Sequence, residues 1–167
     1  DVYKRQSLPG RASRPPRQHP CASRMSASGC ILCGMEITLA QPAGLVVSPA
    51  FSHVAVVPPG ATTIHIGGQN GVDETGALVS ADAAEQSLRA VQNARIALES
   101  AGASLDDVIS WTIYIHQDAD LRAAYGAVAS TLARDGAPPL VTAALVAGLG
   151  VPGAVIEVSA IAAVIRE

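Results

Sequence analysis

Few side chains in this sequence are placed to do chemistry. Glu157 is the most conspicuous. It stands between Ile156 and Val158 in an apolar run that reads as a strand. A carboxylate held there suits proton transfer to or from a bound group. Gly67-Gly68 follows the alternating run Thr62–Ile66. The pair reads either as a tight turn that requires glycine or as a place where backbone N–H groups meet a ligand. His53, His65 and His116 are scattered, and no pair has the HxxxH spacing of a metal site. Cys30-Ile-Leu-Cys33 has the CxxC spacing of zinc or redox sites, but no second pair of Cys or His completes it. The expectation from spacing is therefore no metal site. No P-loop, GxGxxG or Ser-His-Asp order occurs, so nucleotide-dependent chemistry has no support.

The elements that would position these residues are legible from periodicity. Val54–Val57 ends at Pro58-Pro59-Gly60, and Thr62–Ile66 follows, so the two runs read as a hairpin. Asp73-Glu74-Thr75-Gly76 is a turn. Asp82 opens a helix with Glu85 at capping-box spacing, Leu88, Val91, Arg95 and Leu98 form its stripe, and Gly102 stops it. Ile109–His116 alternates, with Trp111, Ile113 and Ile115 on one face and Ser110, Thr112, Tyr114 and His116 on the other. Asp118 and Asp120 start a second helix along Leu121, Tyr125, Val128 and Leu132, ended by Gly136 and Pro138-Pro139. Strands over Val141–Ala147 and Ala154–Ile165 complete a β-β-α-β-α-β-β order. That is an α+β single domain with both helices on one face of a mixed sheet. The last strand reads as apolar on both faces, with Val155, Ile161 and Ile165 opposite Ile156, Val158 and Ala160. Further copies of the chain are expected to cover the helix-free face.

Charge divides the 167 residues, whose net charge is −3, into two segments. Residues 1–34 carry six basic residues against one acid and all three cysteines; residues 35–167 carry five arginines against thirteen acids, and neither Lys nor Cys. The first segment has no helical or strand period and reads as a disordered, non-native leader, with Met35 as the expected start. It lacks the apolar stretch of a secretory signal, and the expected location is cytoplasmic. Residues 37–72 and 136–156 carry no charge, but their prolines, glycines and period-two alternation fit buried strands better than membrane spans. The acidic body argues against a nucleic-acid partner, since phosphate binding needs clustered Lys and Arg.

Three ordered motifs resemble one family. They are Ile66-Gly67-Gly68-Gln69 before Thr75-Gly76; Gln86 and Asn93 followed by Leu98-Glu99-Ser100-Ala101-Gly102-Ala103-Ser104-Leu105-Asp106-Asp107-Val108; and Ile156-Glu157-Val158-Ser159-Ala160-Ile161-Ala162. Over residues 35–167 the chain resembles the RidA (YjgF) family of reactive intermediate deaminases, also labelled L-PSP endoribonuclease-like. The resemblance implies a chorismate-mutase-like fold assembled as a homotrimer around a central barrel. It implies small-molecule sites in clefts between subunits and cofactor-free hydrolysis of enamines and imines to a carbonyl compound and ammonia. Glu157 matches the family Glu that positions the attacking water, and Gly68, with Gly67 before it, matches the substrate-binding glycine turn.

The departures bear on substrate. By the resemblance, a carboxylate-binding Arg belongs where Val141 stands, and no basic residue lies between Arg134 and Arg166. Losing such a bidentate pair costs about 2–5 kcal/mol of binding, at least tenfold in affinity. Tyr125 stands at a position usually held by Asn, and Phe51 replaces a Tyr. The expected ligand-binding set is Gly67, Gly68, Phe51, Tyr125, Val141 and Ala143, with Glu157 as the catalytic residue. The expected ligand is a neutral or weakly acidic enamine, imine or carbonyl compound. The alternative is a trimer that binds a metabolite or partner without turnover.

Overall fold

The computed structural model describes residues 35–166. The leader, with its Cys30–Cys33 motif, lies outside the described residues. Eight elements follow in order: β1 (Thr38–Ala40), β2 (Val54–Val56), β3 (Thr62–Asn70), α1 (Ala83–Ser100), β4 (Val108–His116), α2 (Leu121–Leu132), β5 (Leu140–Val146) and β6 (Ile156–Val164). A single 3-10 turn, Leu105–Asp107, leads from α1 into β4.

The main sheet has the order β3-β6-β4-β5. β4 and β5 are parallel, which α2 makes possible as a crossover, and the other pairs are antiparallel. Both helices pack on one face, as the element order requires. The core between them joins Ala90, Ala94 and Leu98 of α1 to Ile66, Trp111, Val158 and Ala160 of the sheet. Alanines at 90 and 94 let the helix backbone lie close over the strands.

Several local expectations change. The hairpin of Val54–Val57 with Thr62–Ile66 does not form. β2 pairs with β1, which the sequence reading missed, and β3 pairs with β6. Two consecutive prolines fix φ and remove two donors, so the link carries the chain from one sheet to the other. β1 is only three residues long, too short for alternation to register. The α1 stripe is borne out at Val91 and Leu98, which are buried, but Leu88 and Arg95 are exposed, and Gln86, Ser87, Ala90 and Ala94 are buried as well. In α2 the buried positions are Ala124 and Val128, while Leu121 and Tyr125 are exposed. The helix-free face is less apolar than expected. Val155 and Ile165 fall outside β6, which leaves Ile161 beside Ser159, Thr112 and Ser110.

One cap and one turn are held by short carboxylate bonds. Asp82 caps α1 by accepting from the Glu85 N–H at 3.0 Å. Its own N–H donates to the Ser80 hydroxyl at 3.0 Å, so half of the capping box forms. Asp82→Ala is expected to cost about 1 kcal/mol, seen as a melting temperature lowered by a few degrees. In the turn after β3, the Thr75 hydroxyl donates to Asp73 Oδ1 at 2.6 Å, and the Thr75 and Ala77 N–H groups donate to the same oxygen. These bonds, the hydroxyl first, hold the Asp73 carboxyl below its ordinary value near 3.8. The turn's gain is present above that ordinary value and is lost as pH falls through the lowered one. Thr75→Val should raise the Asp73 midpoint, followed by the carboxyl carbon shift; an unmoved midpoint would refute the role given to the hydroxyl.

Candidate functional site

Gly67 and Gly68 lie inside β3. They form a bulge, because the β3–β6 register shifts between Ile66 and Gln69. Neither has a positive φ. Their needs differ. A Cβ on Gly67 would meet nothing within 4 Å, whereas one on Gly68 would lie 2.5 Å from Glu157 Oε1. Gly68 is therefore glycine because the Glu157 carboxylate rests against its backbone.

Glu157 is half-buried on β6, in register with Asn70 of β3 and Tyr114 of β4. Asn70 Nδ2 donates to the Ile156 carbonyl at 2.9 Å and reaches Glu157 Oε2 at 3.4 Å. Asn93 Nδ2 in turn donates to the Asn70 and Val72 carbonyls. Among the described residues no cation lies within ion-pair distance of Glu157. Close by, the fully buried Gln86 amide donates to the Ser80 and Gly153 carbonyls and accepts from the Val155 N–H. Gly71 touches the same residue, since a Cβ there would lie 2.6 Å from Gln86 Cα. These amides and glycines fix how β3 and the chain before β6 meet α1, and so where Glu157 stands.

Phe51, Tyr125 and Val141 come together elsewhere. They line a cavity of about 410 Å³ between α2 and the sheet, with Trp111, Ile113, Val128 and Val158. Ala143 stands two residues beyond Val141 on the same side of β5, in register with Ile113. Alternation along β6 puts Ile156 and Val158, which line the cavity, opposite to Glu157. The expected site residues thus form two groups on opposite faces of one sheet: Gly68 with Glu157, and Phe51, Tyr125 and Val141.

Comparison with known proteins agrees with this architecture. A family model described as Endoribonuclease L-PSP matches residues 45–164. The chain belongs to that family, the RidA/YjgF family.

The solved RidA-like structures extend the likeness. YyfB of the Rid family from Yersinia pestis is 26% identical with a TM-score of 0.65, over 78% of this chain and 100% of that one. RidA from an Antarctic Psychrobacter is 27% identical with a TM-score of 0.55, over 63% and 86%. TdcF of E. coli, solved with bound serine, is 25% identical with a TM-score of 0.55, over 66% and 85%. A RutC family protein of Pyrococcus abyssi is 45% identical over 53 residues, which span 31% of this chain and 42% of that protein.

Three residues of this RidA-like chain escaped the sequence reading. Asn70 touches the carboxylate, and nothing in its local pattern marks it. Tyr114 faces Glu157 across the β4–β6 register, and its place on the polar face of β4 was the available signal. Arg134 lies on the cavity wall, where its Nη1 donates to the Val108 carbonyl at 2.8 Å. Arg134 precedes the searched stretch between 134 and 166, so only the fold brings it to the cavity. The histidines remain apart. His53 meets Phe51 edge-on at 5.4 Å, His65 is exposed on β3, and His116 lies beside Asp118. Among the described residues no group of His, Cys, Asp and Glu could hold a metal ion, and no helix is long and apolar enough to cross a membrane.

Proposed function

We propose that the chain binds a neutral or weakly acidic enamine, imine or carbonyl compound between neighbouring copies and hydrolyses the C=N form. Membership of the RidA/YjgF family supports small-molecule binding or deaminase-type chemistry in general, and the serine bound to TdcF supports a small-molecule ligand. The observation that carries the reading is Val141 in the wall of an apolar cavity while Glu157 is kept against Gly68. Without a guanidinium at Val141, a ligand carboxylate has no bidentate partner on β5.

The two residue groups lie on opposite faces of one sheet, so one ligand can touch both only if a second copy supplies one of them. A homotrimer with its helices outside satisfies this. In the reaction, water adds to the imine carbon and a C–O bond forms. Glu157 accepts a proton from that water and passes it to nitrogen as the C=N π bond opens, which gives a carbinolamine. The carbinolamine hydroxyl then gives its proton, through Glu157, to nitrogen as the C=O bond forms, the C–N bond breaks and ammonia leaves. A carbonyl compound remains.

Two measurements test this. Ammonia release from a neutral enamine should exceed that from 2-aminoacrylate, and the mass in solution should be that of three chains. Rapid hydrolysis of 2-aminoacrylate, at the rate of Arg-containing relatives, would sink the substrate reading, and a monomeric mass would remove the shared site. Stabilisation by ligand with no ammonia released would identify a binding protein instead.

A further inference from the structure

We infer that the ligand carries a bulky apolar group, an aromatic ring or a branched aliphatic chain, that seats between α2 and the sheet. This rests on the reading above, which assigns Phe51, Tyr125 and Val141 to the ligand's wall, and adds what the ligand must contain. The space exists because α2 (Leu-Arg-Ala-Ala-Tyr-Gly-Ala-Val-Ala-Ser-Thr-Leu) is built of small residues. Its sheet-facing positions Ala124 and Val128 are buried, yet with Ala129 they are too short to fill the gap over β4 and β5. About 410 Å³ remains, inside the range of small-molecule pockets.

The wall chooses the occupant. Phe51, Ile113, Val128, Val141 and Val158 offer no hydrogen bonds, and the polar side-chain groups of the wall are only the Trp111 indole N–H, the Tyr125 hydroxyl and the Arg134 guanidinium, whereas an ordered water needs two to four polar partners. Among the described residues no acid lines the space, and the one cation there, Arg134, already donates to the Val108 carbonyl. An apolar body with a neutral polar end matches this better than a small charged metabolite does.

A ketone series tests it on the full chain. 2-Butanone, 4-methyl-2-pentanone and 4-phenyl-2-butanone should bind with rising affinity in calorimetry, roughly fourfold per added methylene buried. Ala129→Leu and Ala129→Phe fill the space from α2. At least the Leu variant should keep a wild-type melting temperature, and binding of 4-phenyl-2-butanone should fall at least tenfold in a folded variant. Equal affinity across the series, no measurable binding of the phenyl ketone, or unchanged binding by a folded Ala129 variant would each overturn the inference. 4-Phenylbutanoate binding more tightly than 4-phenyl-2-butanone would overturn the neutral-ligand reading and leave the apolar seat standing. Graded binding without hydrolysis of the matching imines would remove the catalytic reading and leave the apolar seat standing.

Discussion

Glu157→Gln should lower ammonia release from a neutral enamine by roughly 10²- to 10⁴-fold, the range that a positioned acid–base group contributes. The substitution keeps the shape of the side chain. The amide oxygen can still accept from Asn70 Nδ2, which reaches the native carboxylate at 3.4 Å. The new amide also fits against Gly68, where the native carboxylate leaves no room for a Cβ. Folding should therefore be little affected, and the melting temperature should stay within a few degrees of wild type. Binding of an unreactive ketone should change less than about threefold, because the substitution keeps the shape of the site and removes a group used only in the reaction. What is lost is the carboxylate oxygen that takes a proton from water and passes it on. Turnover within threefold of wild type would show that Glu157 is a strut between strands and not a catalytic residue.

Gly68→Ala and Gly67→Ala should separate sharply although the residues are adjacent. The alanine methyl at 68 would sit 2.5 Å from Glu157 Oε1 and 2.7 Å from its Cδ, so the carboxylate must swing away. A misplacement near 1 Å in a catalytic group costs on the order of 10²-fold in rate. The group displaced is the end of a half-buried side chain, so the fold should survive. At 67 a methyl meets open space, and φ is not in the left-handed region. Gly67→Ala should leave turnover within about twofold and stability unchanged or slightly raised, since alanine narrows the unfolded ensemble. Equal effects at the two positions would mean that the glycines serve the bulge, with no bearing on the carboxylate.

These two substitutions also mark how far a one-dimensional reading reaches. Gly67-Gly68 and Glu157 stand 89 residues apart in the numbering, and each is notable alone. Their contact needs the β3–β6 register and the bulge that shifts it, which are products of strand pairing. The same holds for the helices. Both starts were legible because Asp82 and Asp120 bond their own helices within three residues. The buried stripes were legible only in part: Val91, Leu98 and Val128 are buried, but α1 also buries an amide and alanines while leaving Leu88 exposed. Burial there follows the neighbour across the gap, and hydrophobicity alone misjudged it.

The sequence by itself determined the element order after β1, the family, and the alternation that puts Glu157 opposite to Ile156 and Val158. Those features are local or carried by ordered motifs, so periodicity, caps and glycine spacing suffice to read them. Only the tertiary structure decided that β2 leaves β3 for β1, that Asn70 and Tyr114 flank the carboxylate, and that Arg134 reaches the wall beside Val141. It also decided that the expected site residues fall into two groups separated by a sheet. Strand partners far apart in the chain are selected by packing across the core, and no local signal encodes which distant strand a given strand will meet.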